Sequence, residues 1–393
     1  MEKKIKIGKR IYTVTSDDNY LEAMGNDFEP HMVQLFQTLI EPNDVVADIG
    51  ANIGLTAILF SSIVKKVYAF EPSPSTCGIL LENLDRASAT RVEVINLGLG
   101  HKEETLTITF AVNNRSGGYV SDKICPEIGH VTEKIRIDTL DHYFADKEPP
   151  TFLKIDVEGF EQNVIKGGRA FLLKQKPIVV MEMNHFCLDV LQRITIPDFL
   201  DFMRSVFPQL YAVDTDNSTI VDLHVPEKAY MVMHEHVVKH RFPNIVGGFD
   251  QKIKSKLDQI IMSEPFKTPI LINPAGKIVV QNILRTARVG KIFELSINLS
   301  NETDEVWHGY GDHPVLLSYH WKNQDGSYLV YDGIRTELQN IYVEPGNTVN
   351  EKIRVLAPKD KGTYQLMLTL VQEGACWFED NGFKCASVSM QIG

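Results

Sequence analysis

The spacing of hydrophobic positions changes character along this chain. From Val45 short apolar runs alternate with longer apolar segments: VVADIG, LTAILFSSIV, KVYAFEP, STCGILLENL, VEVINLGLG. Short runs rich in β-branched residues predict buried strands, and the longer segments predict helices. Such alternation predicts a parallel sheet with helices on both faces. Ahead of it, Ile5 to Thr15 predicts a strand pair. Met32, Leu35, Phe36, Leu39 and Ile40 mark the apolar face of a helix opened by Glu29-Pro30. Residues 105–138 alternate at period two around a turn-rich NNRSGG loop, which predicts an antiparallel excursion. The α/β pattern resumes with FLKIDVEGFE, a helix from Gln162 to Leu173, and PIVVMEMN. IPDFLDFMRSVF predicts another amphipathic helix, and YAVDTDNSTIVDL with AYMVMHE closes the sheet as a terminal hairpin.

After residue 242 the texture changes. KIKSKLDQII predicts a short charged helix, and Pro265, Pro269 and Pro274 punctuate the chain beyond it, so residues 243–272 read as a linker. From Lys277 onward short alternating strands dominate (KIVVQNIL, IFELSINLS, VLLSYHWK, VNEKIRVLA, TYQLMLTLV, SVSMQI), separated by turn signals such as Pro345-Gly346. The expected architecture is therefore an α/β Rossmann-like domain over residues 1–242 and an all-β, immunoglobulin-like sandwich over 273–393.

Composition adds limits. A hydrophobic content of 44% is that of a soluble globular protein, and a net charge of −11 argues against a nucleic-acid binder, which normally presents a basic face. No run approaches a membrane span, and MEKKIKIGKR lacks the apolar core of a secretory signal. Cys77, Cys125, Cys187, Cys376 and Cys385 are scattered without a Cys-x-x-Cys pair, which points to free thiols, no zinc site and a cytoplasmic setting.

The chemistry concentrates at strand ends. Gly50, Asn52 and Gly54 make a tight turn between a predicted strand and helix, and Glu71 ends the next strand. An acid so placed accepts hydrogen bonds from both hydroxyls of a ribose. The spacing Asp48-x-Gly50-x-x-x-Gly54 is not the Gly-x-Gly-x-x-Gly of dinucleotide sites, and no phosphate-binding P-loop occurs. An acid before the first glycine repels a pyrophosphate and suits a cation. S-adenosylmethionine, with its sulfonium, ammonium and ribose, fits this polarity.

Lys154, Asp156, Glu158 and Glu161 follow the fourth core strand, on the edge where open α/β sheets bind ligands. Asp156 and Glu158 are the catalytic candidates there, while Glu161 also suits the N-terminus of the following helix. Glu182 and His185 end the next strand, where a histidine serves either as general base or as a structural group. His234 and His236 read as sharing a face of the last strand, without a third metal ligand spaced to join them.

The strings DIGANIG, AFEP, LGLG and KIDVEGFEQNVIKGG, followed by a Pro-Ile-Val-Val-x-Glu strand, resemble the FkbM-type family of S-adenosylmethionine-dependent methyltransferases over about residues 20 to 240. The resemblance implies a class I methyltransferase fold, with the donor held by Asp48, Gly50, Asn52, Gly54 and Glu71. The family often has Leu-Gly-Asp after the third strand, whereas Gly98 is followed here by Leu99 and Gly100. Adenine contacts near Gly98 then fall to the backbone or to the Asn113 to Gly118 loop. The segments SYHWKNQDG and GTYQLMLTLVQEGACWFED resemble β-sandwich modules of envelope-glycan enzymes, some of which bind polysaccharide. Trp307, beside His308 and Tyr310 in a predicted loop, is the favoured sugar contact there, and Trp321 and Trp377 read as core. The implied activity is O-methylation of a sugar hydroxyl in a bacterial glycan or glycoconjugate, with Asp156 or His185 accepting the proton. A metal-assisted version has Asp156, Glu158 and Glu182 as Mg²⁺ ligands. The alternatives are methylation of a non-sugar metabolite, and a glycan-binding protein with an inactive methyltransferase half.

Overall fold

A computed structural model describes all residues except 127, 216–218, 263–267, 283 and 341, and gives the backbone alone at 23, 261 and 262. The chain divides into two units, one of Met1–Lys3, Ile7–Met24 and Phe28–Ser263, the other of Lys4–Lys6, Gly25–Asp27 and Glu264–Gly393.

The first unit is organised by an eight-stranded sheet. Its strands run in the order Thr219–Asp222, Gln209–Asp214, Asn244–Gly248, Ile178–Glu182, Phe152–Ile155, Val45–Ile49, Lys66–Phe70 and Val92–Ile95. Ile178–Glu182, Phe152–Ile155, Val45–Ile49, Lys66–Phe70 and Val92–Ile95 are parallel to one another. Val45–Ile49 is buried at every position, which is why it reads as continuous rather than alternating hydrophobicity. Helices Leu55–Ser61 and Pro74–Arg86 follow the first two strands. The second of these is capped by Ser73, whose side chain accepts from the Thr76 N–H at 3.2 Å. Strand order reverses between Val45–Ile49 and Phe152–Ile155, which opens a crevice at their carboxyl ends. Edge-to-face contacts among Phe36, Phe60 and Phe152 help fill the space on one face.

The antiparallel excursion forms as expected, with Glu104–Ala111 paired to both Asn114–Val120 and His130–Asp138. Three expectations change. AYMVMHE lies in the helix Pro226–Lys239, with Pro226 in its first turn, so His234 and His236 do not share a strand face; His234 is exposed and His236 buried. The sheet instead continues past residue 242, with Asn244–Gly248 inserted antiparallel between Ile178–Glu182 and Gln209–Asp214. The helix expected over 162–173 is two helices, Glu161–Lys166 and Arg169–Gln175. At Gly167 between them a Cβ would sit 1.9 Å from the Gly100 carbonyl oxygen. The Gln209–Asp214 and Thr219–Asp222 hairpin is present, its connection 216–218 lying outside the described residues, as does Pro265.

In the second unit Gly276–Val280, Ile292–Asn301 and Thr348–Leu356 form one sheet. Thr286–Ala287, Ala386–Ile392, Gly362–Gln372, Val315–Lys322 and Tyr328–Val330 follow one another across a second. Leu295, Ile297 and Leu299 from the first share one core with Leu317, Trp321, Leu366, Leu368 and Met390 from the second. Among the described residues no helix is long and apolar enough to cross a membrane.

Candidate active site

The crevice contains a cavity of about 460 Å³ lined by Gly50, Asn52, Gly54, Glu71, Gly98, Asp156, Glu158 and Glu182, among others. Nearly all the sequence-predicted site residues therefore converge, although they come from strands separated by over a hundred residues.

The glycine turn is fixed by the second strand. The N–H groups of Gly50 and Ala51 both donate to the Phe70 carbonyl, at 3.0 and 2.9 Å. The Asn52 N–H donates to Glu71 Oε2 at 3.0 Å, and the Ser73 N–H donates to Glu71 Oε1 at 2.9 Å. The amides of Gly50, Ala51 and Asn52 are thereby committed within the protein. Gly50 has φ +80°, and a Cβ there would lie 1.9 Å from the Asp156 carbonyl oxygen, so the two strand ends meet closely only because this residue has no side chain. Gly98 lines the far wall with Pro72, Leu97, Leu99 and Ile137. The Asn113 to Gly118 region contributes Arg115, Ser116 and Gly118.

Asp48 stands apart from this lining. It is 0% exposed beneath the turn, where Thr56 Oγ1 donates to its Oδ2 at 2.6 Å and Lys154 Nζ lies 3.4 Å from its Oδ1. Lys154 also donates to the Gly50 carbonyl at 2.9 Å and sits 3.2 Å from Asp156 Oδ2. Burial works against the Lys154 charge, but the carboxylates of Asp156 and Asp48 outweigh it and hold the ammonium above the usual lysine range. The lysine thus ties the turn, the buried Asp48 and the cavity-facing Asp156 together.

The acids opposite Glu71 form one electrostatic group. Single carboxylate oxygens of Asp156, Glu158 and Glu182 lie within 4.8 Å of one another. Burial pushes Glu158 up to about 7, with Asp156 adding to the shift. Burial also lifts Glu182 well above the carboxylate range, reinforced by Asp156, Glu158 and Glu161. Burial raises Glu71 to about 7 even though the Ser73 and Asn52 amides favour its charge. Glu161, buried behind the wall, accepts from the Val157 and Gly159 amides at 3.0 and 3.2 Å, and burial raises it to about 8.

His185 is not on the cavity wall. Its ring packs 5.3 Å from those of His236 and His240, and its backbone N–H donates to His236 Nε2 at 3.3 Å. In the second unit Trp307 is 0% exposed and packs edge-on against Phe378 and Phe383, which rules out the surface sugar contact expected of it. Trp321 is buried as expected and donates to the Leu356 carbonyl at 2.9 Å. Trp377 is only partly buried, beside the exposed Tyr331.

Several lining residues escaped sequence reasoning: Tyr20, Glu29, Thr215 and Asn244. Glu29 carried a local signal only for the start of a helix, and Asn244 lies in a stretch read as linker.

The donor chemistry expected here can be tested against these residues. A carboxylate offers about four acceptor positions, so Glu71, with two backbone amides bound, retains capacity for two ribose hydroxyls. The apolar wall at Pro72, Leu97, Leu99 and Ile137 suits a flat base, and five lining acids against two lining bases suit a cation. S-adenosylmethionine fits the residues present.

Comparison with known proteins points in the same direction. Residues 48–210 match the family model for the methyltransferase FkbM domain. The chain is 34% identical over 173 residues to the hexuronic acid methyltransferase AglP of Haloferax volcanii, a match covering 44% of this chain and 70% of that protein. It is 26% identical over 151 residues to methyltransferase 1 of Beauveria bassiana, covering 32% of this chain and 59% of that protein. The solved methyltransferase FkbM of Methylobacillus flagellatus aligns at 19% identity and a TM-score of 0.31, over 44% of this chain and 39% of that one. The chain therefore spans less than two thirds of the fungal protein and of the solved one. With the glycine turn, the strand-end acid and the Asp156 cluster in one crevice, the chain belongs to the FkbM family of methyltransferases.

Proposed function

We propose that this protein is an O-methyltransferase that uses S-adenosylmethionine to methylate a sugar hydroxyl of a glycan or glycoconjugate. The observation that carries this reading is a single cavity bounded by Glu71 at one side and by Asp156, Glu158 and Glu182 at the other. Asn52, Gly54, Glu71 and the wall at Gly98 hold the donor, and Asp48 acts from beneath by fixing Lys154 and Thr56. Bound there, S-adenosylmethionine supplies an electrophilic methyl group. Asp156 accepts the proton of the attacking hydroxyl, being the acid of the cluster whose carboxylate Lys154 orients from 3.2 Å. The rest of the acceleration comes from holding the hydroxyl in line and near attack distance. The hexuronic acid methyltransferase among its relatives supports a sugar acceptor.

In this reading residues 273–393 form an immunoglobulin-like accessory sandwich that contacts polysaccharide, and the five free cysteines fit a cytoplasmic setting. The test is incubation with methyl-labelled S-adenosylmethionine and a panel of nucleotide sugars, lipid-linked glycans and small phenolic metabolites. Label in a sugar product supports the reading. Label confined to non-sugar metabolites refutes it.

A further inference from the structure

The wall that faces the acceptor carries acids and has no cation to spare. Glu29, Asp156, Glu158 and Glu182 line it, and Arg115 and Lys154 are the only lysine or arginine residues among the described lining. Both are already committed. Arg115 Nε and Nη2 each donate to the Asp17 carboxylate at 2.6 Å, and its Nη1 donates to Ser75 Oγ at 2.7 Å. Lys154 is enclosed by Asp48, Asp156 and the Gly50 carbonyl, with its side chain 9% exposed. Recognition of a carboxylate normally uses an arginine fork or a free ammonium. The described lining residues offer neither. Its acids, in contrast, are good acceptors for the O–H groups of an uncharged sugar ring.

From this we infer that the acceptor ring is an uncharged hexose-type sugar and that ring carboxylates are excluded, although the haloarchaeal relative is a hexuronic acid methyltransferase. The inference rests on the sugar-methyltransferase reading and narrows its substrate class. A uronate carboxylate placed about 6 Å from Asp156, at an effective dielectric of about 20, is disfavoured on the order of tenfold once the Lys154 ammonium beside Asp156 has offset part of the repulsion.

The test compares a matched pair, UDP-glucose and UDP-glucuronic acid, which differ only at C6, using labelled S-adenosylmethionine and the full chain. A kcat/KM at least about tenfold higher for the neutral sugar supports the inference. Equal or better use of the uronate overturns it while leaving the sugar-methyltransferase reading intact. Label in neither sugar but in a non-sugar metabolite removes both. Glu29→Lys provides an internal control, since Glu29 is exposed at the cavity. Supplying a cation there shifts the neutral-to-uronate ratio toward the uronate by several-fold, whereas an unchanged ratio contradicts charge as the basis of selection.

Discussion

Replacing Gly50 with alanine tests the joint between the glycine turn and the strand end at Asp156. Two costs add. At φ +80° an L-residue occupies left-handed backbone, at about 1–2 kcal/mol. The new methyl carbon would also lie 1.9 Å from the Asp156 carbonyl oxygen, and overpacking of this kind costs about 1–3 kcal/mol. The sum, roughly 2–5 kcal/mol, corresponds in a unit of this size to a melting temperature lower by roughly 5–15 °C. Relief of the overlap requires the Asp156 backbone to retreat by about 1 Å, a displacement that at a reacting centre costs on the order of 100-fold in turnover. Lys154 is drawn into the change, because its ammonium spans the Gly50 carbonyl and the Asp156 carboxylate. The assays are thermal unfolding of the ligand-free protein and methyl transfer from labelled donor at a temperature where the variant is folded. Wild-type melting together with wild-type turnover in Gly50→Ala would refute the close-approach argument.

The same geometry sets other outcomes. Asp156→Ala should lower turnover by about 100-fold or more while leaving donor affinity within a few-fold of wild type, measured by kinetics and calorimetry; unchanged turnover removes Asp156 as proton acceptor. His185→Ala should change turnover less than about threefold, because its ring packs on His236 and His240 away from the cavity, and a loss like that of Asp156→Ala would restore it as a base. Glu161 is held at about 8 by burial, so the folded protein keeps a proton that the unfolded chain releases. Its stabilising contribution is complete below the ordinary glutamate range and is lost as pH rises through about 8. Glu161→Gln should therefore gain stability relative to wild type between about pH 5.5 and about pH 8.5, and a constant difference in melting temperature across that range would contradict the assignment.

Much of the site was legible because its signals are local. Asp48, Gly50, Asn52 and Gly54 fall within one strand–turn–helix, and Glu71 ends the next strand, so one βαβ pattern places all five. The hidden part depends on distant chain. Tyr20 and Glu29 precede the sheet altogether, and no periodicity announces which edge of the crevice they reach. Asp48 has the motif position of a ligand contact, yet it is fully buried against Thr56 and against Lys154, the latter more than a hundred residues later. The break at Gly167 reflects the approach of Gly100, again a long-range contact. AYMVMHE opens with five consecutive apolar residues, as a buried strand does, yet Pro226 at the first turn is the stronger signal, and it specifies a helix start. Placing that segment in the sheet left no room for Asn244–Gly248, whose glycines resemble a loop. Trp307 illustrates the converse, since a polar neighbourhood in sequence does not preclude complete burial against Phe378 and Phe383.

The central claim is that Glu71 holds the nucleoside of a methyl donor in this cavity, and titration of S-adenosylmethionine into wild-type and Glu71→Gln protein by calorimetry tests it most directly. Loss of hydrogen bonds to a charged acceptor costs about 1.5–3 kcal/mol, so saturable binding by the wild type and an affinity roughly 10- to 100-fold weaker in the variant are predicted. Because burial holds Glu71 at about 7, wild-type affinity should also rise as pH increases through that value, and the rise should be smaller in the variant, where Glu158 is the acid still held at about 7. No binding by the wild type, or equal affinity in both proteins, would contradict the account.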